Sequence, residues 1–123
     1  MLNLNSILLF SDDPKSLGEF YEKVFAKKPD MAEHGYYGFL VGKTFLNIGP
    51  HDKVKGKNKN PERFMFNLET KDVKVEFERL KKIKGIKVIA EPYGMEGWDG
   101  LIATLADLDG NYFQIMPPWE PEK

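Results

Sequence analysis

The sequence predicts an α+β fold made of two βαβββ modules whose curved mixed sheets surround a central cavity. Three observations predict it. The order strand, helix, three strands runs through the chain and then runs again. The two amphipathic helices open on Asp13-Pro14-Lys15 and Asp72-Val73-Lys74, 59 residues apart. Each half then has one helix for a sheet that has two faces, so two such sheets can curl around a shared space with the helices outside. Eight strands exceed what a single open ferredoxin-like sheet needs. One domain of 123 residues follows, with a first module over about 1–50, a connecting loop over about 51–62, a second module over about 63–116 and an extended tail over 117–123.

Leu4–Phe10 is a short apolar run of strand type. Asp13 stands before Pro14, which pushes it off helical dihedrals and suits it to N-capping. Pro14 fits the first helical position. Leu17, Phe20, Tyr21, Val24 and Phe25 then recur on one helical face. Lys27 and Lys28 favour the helix end, and Pro29 stops it. Met31–His34, Tyr36–Val41 and Thr44–Ile48 read as strands punctuated by Gly35, Gly42 and Gly49. The lysine-rich stretch His51–Arg63 lacks aromatics and apolar periodicity, and reads as a solvated loop. Phe64–Glu69 is the next strand. Thr70 or Asp72 caps a helix reaching about Lys84, with Val73, Phe77, Leu80 and Ile83 on one face and Gly85 ending it. Ile86–Ala90 is a strand, Glu91–Gly100 a long loop, and Leu101–Leu108 and Tyr112–Met116 a hairpin turned at Asp109-Gly110-Asn111.

Composition narrows the function. Hydrophobic residues make up 41% and charged residues 30%, a balance that supports a packed core without staples. The net charge of −1 favours neither a nucleic acid nor an anionic membrane as partner. The absence of cysteine excludes a thiol nucleophile, a redox pair and a thiolate zinc site. The first ten residues lack a basic region and a cleavage site, and their apolar run is too short for a bilayer, so the expected location is the cytoplasm.

Two segments carry a resemblance to a known family. Ser11–Phe25, "SDDPKSLGEFYEKVF", and Ala103–Met116, "ATLADLDGNYFQIM", resemble the strand-to-helix segment and the closing hairpin of the vicinal oxygen chelate superfamily, which includes glyoxalase I, extradiol dioxygenases and the fosfomycin- and bleomycin-resistance proteins. Leu108 stands where that hairpin usually has proline. "LETKDVKVEFERLKKIKGIKV" is similar to its second-module helix. The resemblance covers nearly the whole chain and specifies fold rather than activity.

In metal-dependent members, four inward positions, two per module, bind a divalent cation through His and Glu. Carried over by the resemblance, these positions fall on Asn5, Asn47, Arg63 or Met65, and Gln114. None is an imidazole or a carboxylate. Neutral amides hold hard ions only alongside carboxylates, and an arginine repels a cation. The expectation is therefore no metal and no other cofactor, with Gln114 orienting a polar ligand or satisfying its own neighbours.

Other candidates read as structural. His34 and His51 lie in loops without metal-ligand spacing. Ser6, Ser11 and Ser16 lack a nucleophile elbow, and the last two suit the helix start. Glu76 and Glu78 fall on a solvated helix face. The Glu91–Gly100 loop is the exception: Tyr93, Met95 and Trp98 are placed to cover an apolar ligand at the pocket mouth, to close the bottom of the core, or to bury at a dimer contact. Trp119 reads as a docking anchor. The expected function is a metal-free protein that binds a small organic molecule, with Asn5, Asn47, Arg63, Met65 and Gln114 as pocket residues and Tyr93 and Trp98 at its rim. The resemblance implies a homodimer, with crossed modules as one form, and resistance by sequestration as one use. The alternatives are a divalent-metal lyase or dioxygenase, and an interaction module whose cavity Phe64, Met65 and Phe66 fill.

Overall fold

The computed structural model describes residues 1–118. Its elements are β1 (Ser6–Phe10), α1 (Pro14–Phe25), β2 (Met31–Glu33), β3 (Tyr36–Val41), β4 (Thr44–Gly49), a 3-10 turn at Pro61–Arg63, β5 (Phe66–Glu69), α2 (Val73–Leu80), β6 (Lys87–Met95), β7 (Trp98–Ala106) and β8 (Tyr112–Met116). They divide into two compact units, Met1–Lys57 and Asn58–Lys123. Each unit holds one helix and one four-stranded mixed sheet, ordered β1-β4-β3-β2 in the first and β5-β8-β7-β6 in the second. In both, the first strand pairs parallel with the last, and the rest are antiparallel. This is the predicted pair of βαβββ modules.

The two helix entrances repeat each other atom for atom. Ser11 Oγ accepts from Asp13 N–H at 3.0 Å, and Thr70 Oγ1 accepts from Asp72 N–H at 3.3 Å. Asp13 Oδ1 then caps Ser16 N–H and Asp72 Oδ1 caps Val75 N–H, each at 3.2 Å. Ser11 N–H bonds Gly49 O at the end of β4, and Thr70 N–H bonds Met116 O at the end of β8. Each capping side chain satisfies an amide that the first helical turn leaves unpaired.

In the first unit Leu17, Phe20, Tyr21 and Val24 bury against the sheet. Phe25 meets Phe39 at 5.3 Å between ring centroids, which fixes the row of Phe39, Leu46 and Ile48 as the helix-facing row. A Cβ on Gly18 would stand 3.0 Å from the Tyr37 ring, so the helix lies close to the sheet there. In the second unit Val73, Phe77 and Leu80 of α2 cover Ala103, Leu105, Phe113 and Ile115, all buried. Phe66 stacks on Phe113 at 5.9 Å, so it belongs to this helix-side core rather than to a filled cavity.

Several boundaries differ from expectation. The helix α1 ends at Phe25, before the lysines, because Ala26 takes a left-handed conformation (φ 55°). Lys27 and Asp30 then clip the exit to β3: Lys27 Nζ donates to Leu40 O and Leu40 N–H donates to Asp30 Oδ2, both at 2.7 Å. The helix α2 ends at Leu80, and successive turns carry the chain to Gly85 (φ 90°). The strand β5 starts at Phe66, which leaves Arg63 exposed in the 3-10 turn and Phe64 exposed after it.

The largest correction concerns Glu91–Gly100, expected as a loop. It is the distal half of a β-hairpin: Tyr93 pairs with Ile102 and Met95 with Trp98. Glu96 and Gly97 make the two-residue turn, with Gly97 at φ 80° in the second central position, where a type II turn calls for glycine. Pro92 and Gly94 are tolerated because β6 is an edge strand interrupted by bulges. The expectation for Trp119 concerns a residue outside those described.

Candidate functional site

Each sheet has one face under its helix and one face free of it, and strand register decides which side chains share the free face. In the first sheet Asn47 pairs with Gly38 on β3 and with Leu8 on β1. The free face therefore carries Ser6, Leu8 and Phe10; Phe45, Asn47 and Gly49; and Tyr36, Gly38 and Leu40. Asn5 does not join this row. It precedes β1, is exposed, and stands an odd number of residues from Leu8, in the alternation of Ile7 and Leu9. Its carbonyl accepts from Phe45 N–H.

Asn47 sits between two aromatic rings held by glycines. The Phe45 ring occupies the space above Gly38, and the Tyr36 ring occupies the space above Gly49; a Cβ at either glycine would overlap the ring. Asn47 Oδ1 is buried there with no hydrogen-bond partner among the described residues. Leaving an acceptor so costs about 1–3 kcal/mol of desolvation.

In the second sheet Gln114 pairs with Asn67 on β5 and Thr104 on β7, and Thr104 pairs with Ala90 on β6. That rung reads Asn67, Gln114, Thr104, Ala90. The next rung holds Glu69 opposite Met116 and Tyr93 opposite Ile102. On the other side Tyr112 faces Ala106, and Lys87 closes the edge. Gln114 Nε2 donates to Thr104 Oγ1 at 3.0 Å. The Trp98 ring lies above Gly100 in the row that continues to Ile102 and Thr104. Tyr93, Met95 and Trp98 keep 42%, 51% and 36% of their surface exposed.

The repeat ties the two sheets together by position. The offset that maps Asp13 on Asp72 maps Leu8 on Asn67, and the one that maps Gly49 on Met116 maps Asn47 on Gln114. The equivalent central pairs are thus Leu8 with Asn47 and Asn67 with Gln114. Counting along the sequence missed Leu8 and Asn67. The spacing of the helix caps, extended back from Asp72 to β5, would have found Asn67.

These side chains do not suit a divalent cation. On the first sheet the pair offers one amide and one aliphatic side chain, and on the second two amides, whereas hard or borderline cations need carboxylate or imidazole donors. Among the described residues no group of three His, Asp or Glu is clustered. Among them also, no helix is long and apolar enough to cross a membrane.

Paired βαβββ modules of this topology are the fold of the vicinal oxygen chelate superfamily. A glyoxalase/bleomycin resistance protein/dioxygenase family enzyme from Burkholderia phytofirmans superposes with a TM-score of 0.76 at 19% identity, over 94% of this chain and 98% of that one. The bleomycin resistance determinant encoded on transposon Tn5 superposes at 0.68 and 20% identity, over 97% and 100%. The fosfomycin resistance protein FosX from Listeria monocytogenes superposes at 0.69 and 13% identity, over 98% and 95%. No family model matches the sequence, and no curated protein does.

Proposed function

We propose that this chain binds a small organic molecule on the helix-free faces of its sheets, without a metal and without breaking a bond. The observation that carries the reading is the donor set of the central pairs, Leu8 with Asn47 and Asn67 with Gln114: amides and one leucine, where a cation needs carboxylates or imidazoles. Amides orient a polar ligand, and the aromatic side chains Tyr36, Phe45, Tyr112 and Tyr93 supply apolar area around them. Arg63 and Met65, in the turn and the residue before β5, share the sequence alternation of Asn67 and are proposed as further contacts. Resistance by sequestration, the use that the family resemblance implies, requires no more than such binding.

We also propose a homodimer. The exposed Tyr93, Met95 and Trp98 on an edge hairpin support it, since aromatic and Met side chains concentrate in interfaces.

The test is metal analysis of protein purified without chelator, alongside thermal-shift measurements with added Zn, Ni, Fe or Mn and with a small-molecule library. Stabilisation by organic compounds and none by metals is expected, because binding to the native state raises its stability. A stoichiometric metal ion that raises the melting temperature overturns the reading.

A further inference from the structure

We infer that the helix-free face of the second sheet selects ligands that donate hydrogen bonds, in particular aromatic amines, and disfavours carboxylates. The inference rests on the small-molecule reading and adds its ligand class. Gln114 is amphoteric in isolation, but here its NH2 is turned to Thr104 Oγ1 at 3.0 Å. Its Oε1, which accepts no bond from a described residue, is the atom left to a ligand. Thr104 is 5% exposed, so the hydroxyl that holds the amide is shielded from competing water.

The neighbouring charge has the same sense. Glu69 is exposed one rung along on β5, with its Cα about 8 Å from that of Gln114 by strand and rung spacing. The cations near this face stand farther off: Lys87 lies two strands away at the β6 edge, about 12 Å off by the same spacing, and Arg63 stands in the 3-10 turn four residues before Asn67. A carboxylate ligand at Gln114 would meet an amide oxygen and a carboxylate, with the Asn67 amide as the neutral donor of the same rung. An ammonium would meet two acceptors and the ring of Tyr93 or Tyr112, and charge-assisted hydrogen bonds are the stronger kind. On the first sheet, independently, the buried unpartnered atom of Asn47 is also an acceptor.

Three probes with one ring separate the cases: benzylamine, benzyl alcohol and benzoate, titrated at pH 7 by ligand-observed NMR. The expected order is benzylamine, benzyl alcohol, benzoate, with at least about a tenfold span. Glu69→Gln, an exposed change, lowers benzylamine affinity by more than it lowers that of benzyl alcohol, and so narrows the span between them. Thr104→Val frees the Gln114 amide to turn its NH2 outward and narrows the span. Benzoate binding as well as benzylamine, or a span unmoved by both variants, overturns the inference while small-molecule binding stands. Failure of all three probes, with no hit from the library, overturns the underlying reading instead.

Discussion

The ring of Phe45 lies over Gly38, in the space where any other residue would carry its Cβ. Gly38 is buried and pairs directly with Asn47, so the missing side chain lets the ring reach across β3 beside the amide. Gly38→Ala forces the ring away. The expected loss is about 1–3 kcal/mol, the usual cost of overpacking. Phe45→Leu should relieve it, so a double-mutant cycle followed by urea denaturation should show coupling above about 0.5 kcal/mol. Additive losses would mean that the ring moves at no cost.

Asn47 is held at a cost to the fold. Its Oδ1 is buried with no donor among the described residues, and leucine fills a similar volume with nothing to satisfy. Asn47→Leu should raise stability by about 1 kcal/mol, a shift of a few degrees in melting temperature. It should also weaken the ligands that stabilise the wild type, the trade expected where a site keeps an unfavourable group for function. A variant both less stable and equally able to bind would assign Asn47 to the scaffold.

The exit of α1 carries the pH dependence that can be assigned. Asp30 is held below its ordinary value of 3.8, first by the hydrogen bond from Lys27 and then by the Leu40 N–H. A carboxyl with a lowered folded value stabilises the fold above its unfolded pKa, and that contribution disappears as pH falls through the folded value. Melting temperatures of wild type and Asp30→Asn should therefore differ at pH 7 and converge below 3.8. A difference that persists in acid would trace to the geometry of the Leu40 backbone rather than to charge.

Local chemistry was the legible part of this sequence. Asp13 and Asp72 announce their helices because an N-cap acts on amides three residues away. The closing turn is equally local: Asp107 Oδ1 accepts from the backbone N–H of Asp109 and Asn111, both at 2.9 Å, and Gly110 takes φ 81°. Register was not legible. Asn5 and Leu8 differ by an odd step, and only pairing with β4 decides which of them shares a face with Asn47. The β6–β7 hairpin was hidden because Pro92, Gly94, Gly97 and Gly100 are loop residues by propensity. Bulges, an edge position and the Trp98 ring over Gly100 reconcile them with strand.

That hairpin supplies the test of assembly. The strand β8 pairs with β7 only from Ala103 to Ala106, so the stretch from Tyr93 to Ile102 is a two-stranded arm within its sheet. An isolated hairpin is marginal in water, and this one exposes Tyr93, Met95 and Trp98. A second copy of the chain can cover those side chains, and an exposed edge strand offers backbone groups for the same contact. Light scattering should then give twice the chain mass of 14.2 kDa for the wild type. Met95→Lys with Trp98→Lys should give the single mass, since two charges on the arm cannot be buried unpaired. Dilution should lower the melting temperature of the wild type and leave that of the double variant unchanged, because only a dimer gains stability with concentration. A wild type at single mass would leave the arm's aromatic row to the ligand, and the same double variant should then abolish stabilisation by aromatic compounds.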